Sequence, residues 1–237
     1  MEIVPNVHVI SSLTANPFLL IDHDGLTLID TDIPGSANRI LRYIKRLGYA
    51  LRDLNRILLT HADYDHAGSL ATLKRATGAR VYASLFEARA VATGHFPRSL
   101  KTNNILVKPI FALAERLGRI RPAHVDETLT EGQVLPVLNG LHVVDTHGHT
   151  PGHLSFFAPA LGILFSGDSI VSEKNQLVGS HAPVTWNQAM ANAAVKRQMA
   201  LKPRIMCVGH GPIMMTNLIG MFFPQKEFAR IPISRYR

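Results

Sequence analysis

The chain has 237 residues, of which 46% are apolar and 18% charged, and its formal net charge is +8. This balance excludes a disordered chain, and the length predicts one domain, residues 1–237, with a mostly aliphatic core. The only cysteine, Cys207, excludes an internal disulfide and a cysteine-based zinc site, and its apolar neighbours predict a buried thiol. With no long apolar window and no signal-peptide pattern, we expect a cytoplasmic protein without a membrane partner.

The first half of the chain alternates strand and helix patterns. Short apolar runs predict strands over 7–13, 18–22, 26–30, 56–60 and 80–83. Apolar residues at helical spacing predict helices over 36–47, 66–77 and 84–93, and Gly48 and Gly78 follow the first two. The next segment, about 94–124, contains Pro97, Pro109 and Pro122. We interpret it as a lid-like insert over a site.

The second half repeats this organisation. Strands are predicted over 125–129, 133–138, 141–146, 154–158, 163–166 and 205–208, with a helix over 186–200. A run of strands followed by helix and strand in each half predicts two similar β-rich layers packed face to face, with helices outside.

The densest chemical signal is the segment Thr60-His61-Ala62-Asp63-Tyr64-Asp65-His66-Ala67-Gly68. It follows a predicted buried strand and opens a helix. Four ionisable side chains in one such loop, His61, Asp63, Asp65 and His66, are costly to bury unless they are paired or bind a metal. Their nitrogen and oxygen atoms suit a divalent first-row ion.

Three further motifs also follow predicted strands. They are Asp145-Thr146-His147-Gly148-His149-Thr150-Pro151-Gly152-His153, Phe165-Ser166-Gly167-Asp168 and Val208-Gly209-His210-Gly211-Pro212. Loops that leave a strand end often carry function. Each of these motifs alone also fits an ordinary turn, but the four together, in this order, favour a functional site.

This ordered set resembles the metallo-β-lactamase-fold hydrolase superfamily over about residues 7 to 215. The resemblance implies a four-layer αβ/βα sandwich with a metal site at one edge. It implies a first ion bound by His61, Asp63 and His149 and a second bound by Asp65, His66 and His210, with Asp168 and a hydroxide bridging them. Asp30, in Leu28-Ile29-Asp30-Thr31, matches a supporting group of the family, whereas His147 and His153 match flanking positions.

One position departs from the family pattern His-x-His-x-Asp-His, because Asp63 stands where the second histidine belongs. A third carboxylate is a harder ligand and removes residual positive charge from the centre. We expect zinc as the metal, and the third carboxylate should make iron or manganese better tolerated than in a histidine-rich site. We also expect a bound water that is less acidic, and so a higher pH optimum. A single-metal site with Asp63 pointing away is the alternative.

The implied activity is hydrolysis by a metal-held hydroxide, with Asp65 and Asp168 as catalytic residues. Asp65 would ligate and also shuttle a proton, and Tyr64 and His181 are candidate donors to the oxyanion. Because the chain has no domain-sized C-terminal extension like that of glyoxalase II-like thioesterases, we expect a small-molecule carboxylic ester or lactone as substrate. Phosphodiester or phosphotriester hydrolysis is the first alternative. A non-catalytic metal-binding or nucleic-acid-binding protein is the second, although a nucleic-acid role leaves the His/Asp set unexplained.

Two segments bear on partners. Residues 84–124 are rich in basic side chains, which fit either an anionic substrate or a solvated helix face. Residues 214–223 are strongly apolar, which predicts closure of the core, with a homodimer contact as the alternative. Five other histidines lie outside any motif and are expected to have no role in the site: His8, His23, His95, His124 and His142.

Overall fold

The computed structural model describes residues 1–95 and 119–215, and the backbone of residues 231–232 and 234–235. These residues form two compact units, Met1–Leu129 and Thr130–Arg237, and each contains its own seven-stranded sheet. The predicted lid-like insert falls mostly on residues outside the described part. The residues of it that are described after the gap, 119–124, contain neither helix nor strand.

The sheet of the first unit follows chain order from edge to edge. Its strands are β1 (Glu2–Val4), β2 (Val7–Val9), β3 (Phe18–Asp22), β4 (Gly25–Ile29), β5 (Leu54–Leu58), β6 (Arg80–Ala83) and β7 (Glu127–Thr128). The first four pair antiparallel, and β4 to β7 pair parallel. Parallel neighbours need a crossover connection, which helices supply here.

The helices of the first unit are α1 (Ala37–Arg46), α2 (Tyr64–Ala67), α3 (Leu70–Thr77) and α4 (Leu85–Thr93), and a 3-10 turn covers Leu51–Asp53. Helix α1 buries Ile40 and Ile44, one turn apart, in the same apolar cluster as Leu28 and Ile57 of the sheet. This packing fixes the sheet end from which the motif of residues 60–68 emerges.

The prediction of one continuous helix over 66–77 is wrong. The chain forms two helices, α2 and α3, separated by Gly68 and Ser69. A side chain at position 68 would have its Cβ 2.3 Å from Pro34 and 2.4 Å from the Tyr64 carbonyl oxygen. The Ser69 hydroxyl donates to the Ile33 carbonyl at 2.7 Å. The loop that carries Pro34 thus packs into the break, which apolar periodicity does not reveal.

The second unit has a seven-stranded sheet in the order β17-β15-β14-β11-β10-β9-β8 and a small sheet in the order β12-β13-β16. The strands are β8 (Val134–Leu135), β9 (Leu141–Asp145), β10 (Leu154–Ala158), β11 (Ile163–Gly167), β12 (Ile170–Glu173), β13 (Gln176–Gly179), β14 (Ile205–Val208), β15 (Met214–Met215), β16 (Ile231–Pro232) and β17 (Ser234–Arg235). A 3-10 turn covers Ala182–Val184, and helix α5 covers Gln188–Ala200.

The β12–β13 hairpin was not predicted. Its register pairs Glu173 with Gln176, and the two turn residues, Lys174 and Asn175, have φ values of 47° and 64°. Two positive φ angles are typical of the tight turn that suits strand twist, but Lys-Asn is a weaker signal than Asn-Gly. The strand β15 was also missed, and the rest of the apolar segment 214–223 lies outside the described residues.

Cys207 is buried in β14, and burial raises the pKa of its thiol well above the usual value, so the prediction of a buried thiol is confirmed. Across the described ranges, no helix is long and apolar enough to cross a membrane.

Candidate metal centre

The loop after β5 holds the first set of predicted ligands. His61, Asp63 and His66 are buried, and Asp65 is half-buried in the first turn of α2. The His61 Nε2 atom lies 3.5 Å from Asp63 Oδ2, and the rings of His61 and His66 have centroids 4.1 Å apart. The structure therefore brings these side chains together as the sequence predicts.

Asp30, the residue after β4, supports this loop. Its buried carboxylate accepts hydrogen bonds from the Thr60 amide at 2.9 Å, the Thr60 hydroxyl at 2.7 Å and His66 Nδ1 at 2.8 Å. Because the Thr60 proton goes to Asp30, its oxygen accepts from His61 Nδ1 at 2.9 Å. Both imidazoles thus carry a proton on Nδ1 and present Nε2 as the ligand atom.

A second buried carboxylate holds the same loop from α4. Glu87 is completely buried, and its Oε2 accepts from the Ala62 amide at 2.8 Å. The Ser84 hydroxyl accepts from the Glu87 amide at 3.3 Å, which caps the helix. Sequence reasoning missed this role, because Ser-x-x-Glu at a helix start already has an ordinary explanation as a capping pattern.

The second unit holds the other predicted ligands, His149, Asp168 and His210. Asp168 Oδ2 lies 3.6 Å from His149 Nε2 and 3.2 Å from His210 Nε2. His149 and Asp168 are buried, and the His210 side chain is one-third exposed. These three residues come from the turns that follow β9, β11 and β14, as predicted.

A chain of hydroxyl groups orients His149. Its Nδ1 lies 2.6 Å from Ser180 Oγ, which lies 2.7 Å from Thr185 Oγ1, and that hydroxyl donates to the His181 carbonyl at 2.7 Å. The carbonyl can only accept, so each donor in the chain points towards it and His149 carries its proton on Nδ1. Ser180 was missed by sequence reasoning, since no local pattern indicates that it contacts His149.

The donor set fits divalent metal ions. Three imidazoles present Nε2 because a protein group binds their Nδ1 proton, and carboxylate oxygens lie beside two of those Nε2 atoms. An unprotonated nitrogen facing a carboxylate oxygen brings two acceptors together, and a cation stabilises such a pair. Nitrogen with carboxylate oxygen is a donor combination suited to zinc, iron and manganese.

The other predicted residues contact neighbouring side chains in ordinary ways. His147 is half-exposed and its Nδ1 lies 2.8 Å from Asp145, while His181 Nε2 lies 2.5 Å from Glu173 Oε1 in an exposed pair. Tyr64 packs against the core of the first unit. The proposed oxyanion role of Tyr64 and His181 stays a prediction.

The histidines outside the motifs differ in their surroundings. His8 is buried with its Nδ1 3.2 Å from the Tyr43 hydroxyl, and burial lowers its pKa. His23, His95, His124 and His142 are exposed.

The family model described as the metallo-beta-lactamase superfamily matches residues 13–210. The chain is 28% identical over 228 residues to the probable metallo-hydrolase YflN of Bacillus subtilis strain 168, covering 89% of this chain and 85% of that protein. It is 30% identical over 182 residues to a hydroxyacylglutathione hydrolase of Cereibacter sphaeroides, covering 76% of this chain and 55% of that protein. It thus matches about half of the length of this second relative.

Among solved structures, TTHA1623 in a di-iron-bound form is 26% identical to the chain. The alignment covers 88% of this chain and 93% of that one, with a TM-score of 0.67.

Proposed function

The chain belongs to the metallo-β-lactamase superfamily, with its α/β fold, and is a metallo-hydrolase; we propose that it hydrolyses carboxylic esters or lactones with two divalent ions. The predicted family, fold class and hydrolytic character are thereby confirmed. The observation that carries the proposal is the buried loop of residues 60–66, in which Asp30 and Thr60 set two imidazoles for ligation and Asp63 adds a carboxylate.

We propose the ligand assignment implied by the resemblance, and the family match spans every residue in it. The first ion would be bound by His61, Asp63 and His149, the second by Asp65, His66 and His210, and Asp168 would bind both. The preset Nδ1 contacts of His61, His66 and His149 support this assignment.

Divalent ions bound there would lower the pKa of water and polarise the scissile carbonyl. The protein supplies position and proton transfer. Asp65 is half-buried in the first turn of α2, where its carboxylate can both ligate and hand a proton to the leaving oxygen. Asp30 and Glu87 hold the loop backbone and rings, so the ligands need little rearrangement during the reaction.

The charge of the ligand set favours an uncharged acyl substrate. Asp63 makes three carboxylates with Asp65 and Asp168, and this lowers the net positive charge offered to a substrate. An anionic phosphodiester gains less from such a centre than from one with two carboxylates and more histidines. A neutral ester or lactone carbonyl needs only polarisation, so it is the better match.

Thioester hydrolysis is the second candidate. The observation that favours it is the 30% identity to a hydroxyacylglutathione hydrolase, a relative of which the chain matches about half. A thioester also presents an uncharged carbonyl, so the same charge argument applies to it.

The finer identity of the metal is part of the proposal. We propose zinc, with iron or manganese accepted because Asp63 makes the set harder, and the di-iron form of TTHA1623 supports iron as an option. A cytoplasmic location, a small-molecule partner and a homodimer remain predictions.

The test is a hydrolysis screen of metal-loaded protein with lactones, aryl esters, thioesters, phosphodiesters, phosphotriesters and β-lactams. We expect carbonyl substrates to be hydrolysed, and Asp168→Ala to lose at least about a hundredfold in kcat/KM. A preference for phosphodiesters would contradict the substrate class. Activity that survives in Asp168→Ala would contradict the metal-dependent mechanism.

A further inference from the structure

His153 lies directly before β10 and is completely buried, although the resemblance gives it only a flanking position. Both of its ring nitrogens have close partners. Its Nε2 accepts a hydrogen bond from the Asp168 amide at 3.0 Å, and its Nδ1 lies 2.7 Å from Thr146 Oγ1. A backbone amide can only donate, so His153 is a neutral imidazole whose proton sits on Nδ1 and points to Thr146.

The Asp168 amide is a sensitive place for such a contact. Asp168 follows Gly167, which has a φ of 52°, in the short turn between β11 and β12. The direction of its carboxylate towards His149 and His210 depends on the backbone of this turn. A group that holds the amide therefore sets where the carboxylate points.

The contact is one part of a closed circuit of hydrogen bonds. From His153 it runs to Thr146 and on to Ser155 at 2.9 Å, then to Gln198 Oε1 at 3.1 Å. Gln198 Nε2 donates to Ser169 Oγ at 2.8 Å, and that hydroxyl donates to the Ser166 carbonyl at 2.7 Å. Because His153 donates its Nδ1 proton to Thr146, Thr146 can donate to Ser155 and Ser155 to Gln198, so each hydroxyl in the series donates one proton and accepts one. The circuit thus leaves the turn at residue 168 and returns to it at residues 166 and 169.

Burying this many polar side chains costs free energy of folding, which favours a functional role for the network. Gln198 is fully buried on the face of α5 that also buries Ala191, Ala194 and Val195. A polar group in such surroundings destabilises a fold unless its hydrogen bonds are complete, and an incomplete network is worse than an apolar one. Here the carbonyl of Gln198 accepts from Ser155, and its amino group donates to Ser169 and to the Ala194 carbonyl.

We infer that His153 is a positioning residue: it accepts a hydrogen bond from the Asp168 amide and so keeps the Asp168 carboxylate directed for metal binding. Gln198 holds the other side of the same turn through Ser169. His153 binds no metal in this account. The inference rests on the proposed metal-binding function for its consequence, but the hold on the turn is a property of the metal-free chain.

The experiment compares His153→Leu with His153→Gln in the full-length protein. Leucine removes the acceptor, whereas the Oε1 atom of glutamine can replace Nε2 as acceptor for the Asp168 amide. His142→Leu is the matched control, because His142 is an exposed histidine of the same sheet. Two quantities are measured: zinc affinity by competition with a chelator, and hydrogen exchange of peptides containing Asp168 in metal-free protein.

We expect His153→Leu to lose about 10–100-fold in zinc affinity and to exchange faster at Asp168. His153→Gln should recover most of both, and His142→Leu should match the wild type. Unchanged zinc affinity and exchange in His153→Leu would overturn the inference, as would a glutamine variant as impaired as the leucine one. Gln198→Leu, which opens the circuit on its other side, provides the same comparison if His153→Leu does not fold.

The two proposals can fail separately. A wild-type protein that binds no zinc, iron or manganese overturns the proposed function, and exchange at Asp168 then still decides whether His153 holds the turn. If His153→Leu binds metal as tightly as the wild type and exchanges no faster at Asp168, the proposed function stands and the inference is overturned.

Discussion

Three of the four imidazole rings in the proposed ligand set are held by groups outside that set. His61 contacts Thr60, His66 contacts Asp30 and His149 contacts Ser180, in each case through Nδ1. Such partners set the tautomer and the direction of the ring, and losing one typically lowers metal affinity about 10–100-fold.

Asp30→Asn tests this at the most connected position. An amide cannot accept all three hydrogen bonds as strongly as the carboxylate does. Its amino group would face the Nδ1 proton of His66, so two donors would meet. We expect zinc affinity to fall about 10–100-fold and the protein to lose about 1–3 kcal/mol of stability. Chelator competition and thermal unfolding measure these changes. Asp24→Asn, in the exposed β3–β4 turn, breaks an ion pair with Arg56 and is the control for zinc affinity. An equal loss of zinc affinity there would refute the role of Asp30.

Asp63→His restores the histidine-rich pattern of the family. The softer, neutral ligand should raise the share of zinc relative to iron and manganese in protein loaded from an equimolar mixture. The more positive centre should also move the acidic limb of the pH–rate curve to lower pH. Metal analysis of purified protein and a pH–rate profile check the two effects. If neither moves, Asp63 does not contribute to the centre as proposed.

The ligand types at the centre were visible in the sequence because histidine and aspartate are rarely buried in such numbers without a reason. Thr60, Glu87 and Ser180 were not, because each owes its role to a contact that forms only when distant parts of the chain fold together. Ser180 is 31 residues from His149, and Glu87 is 25 residues from Ala62.

At the scale of elements, the approach of β14 to the Asp168 turn leaves no room for a side chain at Gly209. A Cβ there would lie 2.3 Å from Asp168 Oδ1 and 2.9 Å from the backbone of Gly167. Gly209→Ala should therefore displace the Asp168 carboxylate and reduce zinc affinity at least about tenfold. Gly179→Ala is the matched control, since its Cβ would meet only Val195 at 3.4 Å. Equal affinities in the two variants would contradict this reading.

The carboxylate of Asp126, directly before β7, accepts hydrogen bonds from Lys74 and the Val81 amide, and this contact predicts a pH-dependent stability. Burial by itself raises the pKa of Asp126, but hydrogen bonds from Lys74 and the Val81 amide outweigh it, so the pKa lies below its usual value. A lowered folded-state pKa stabilises the protein above the unfolded pKa, and this contribution is lost as the pH falls through the folded value. Asp126→Asn should cost about 1 kcal/mol at pH 7.

This difference should shrink below about pH 4, where the unfolded carboxyl is protonated. Urea unfolding at several pH values measures it. A destabilisation that is the same at pH 7 and pH 3 would assign the effect to packing instead of charge.

The element pattern was predictable where apolar periodicity was clear and not where tertiary contacts broke it. Strands β3, β6, β10 and β14 agree with the predicted bounds, because each is an apolar run between turn residues. The break between α2 and α3 and the β12–β13 hairpin depend instead on Pro34 packing at Gly68 and on two residues with positive φ.

At the scale of the whole molecule, the proposed ligands come from separate stretches between residues 61 and 210. A metal ion that binds only the folded chain stabilises it by mass action. Removal of metal should therefore lower the melting temperature, and the drop should be reversed by zinc added back. The composition predicted none of this directly. It predicted only a chain able to form a large aliphatic core.

We propose that two divalent ions are held by seven side chains: His61, Asp63, Asp65, His66, His149, Asp168 and His210. Anomalous diffraction from crystals of metal-loaded protein, collected at the absorption edge of the bound metal, tests it most directly. We expect two peaks within bonding distance of these side chains. An absence of peaks there in fully loaded protein would contradict it.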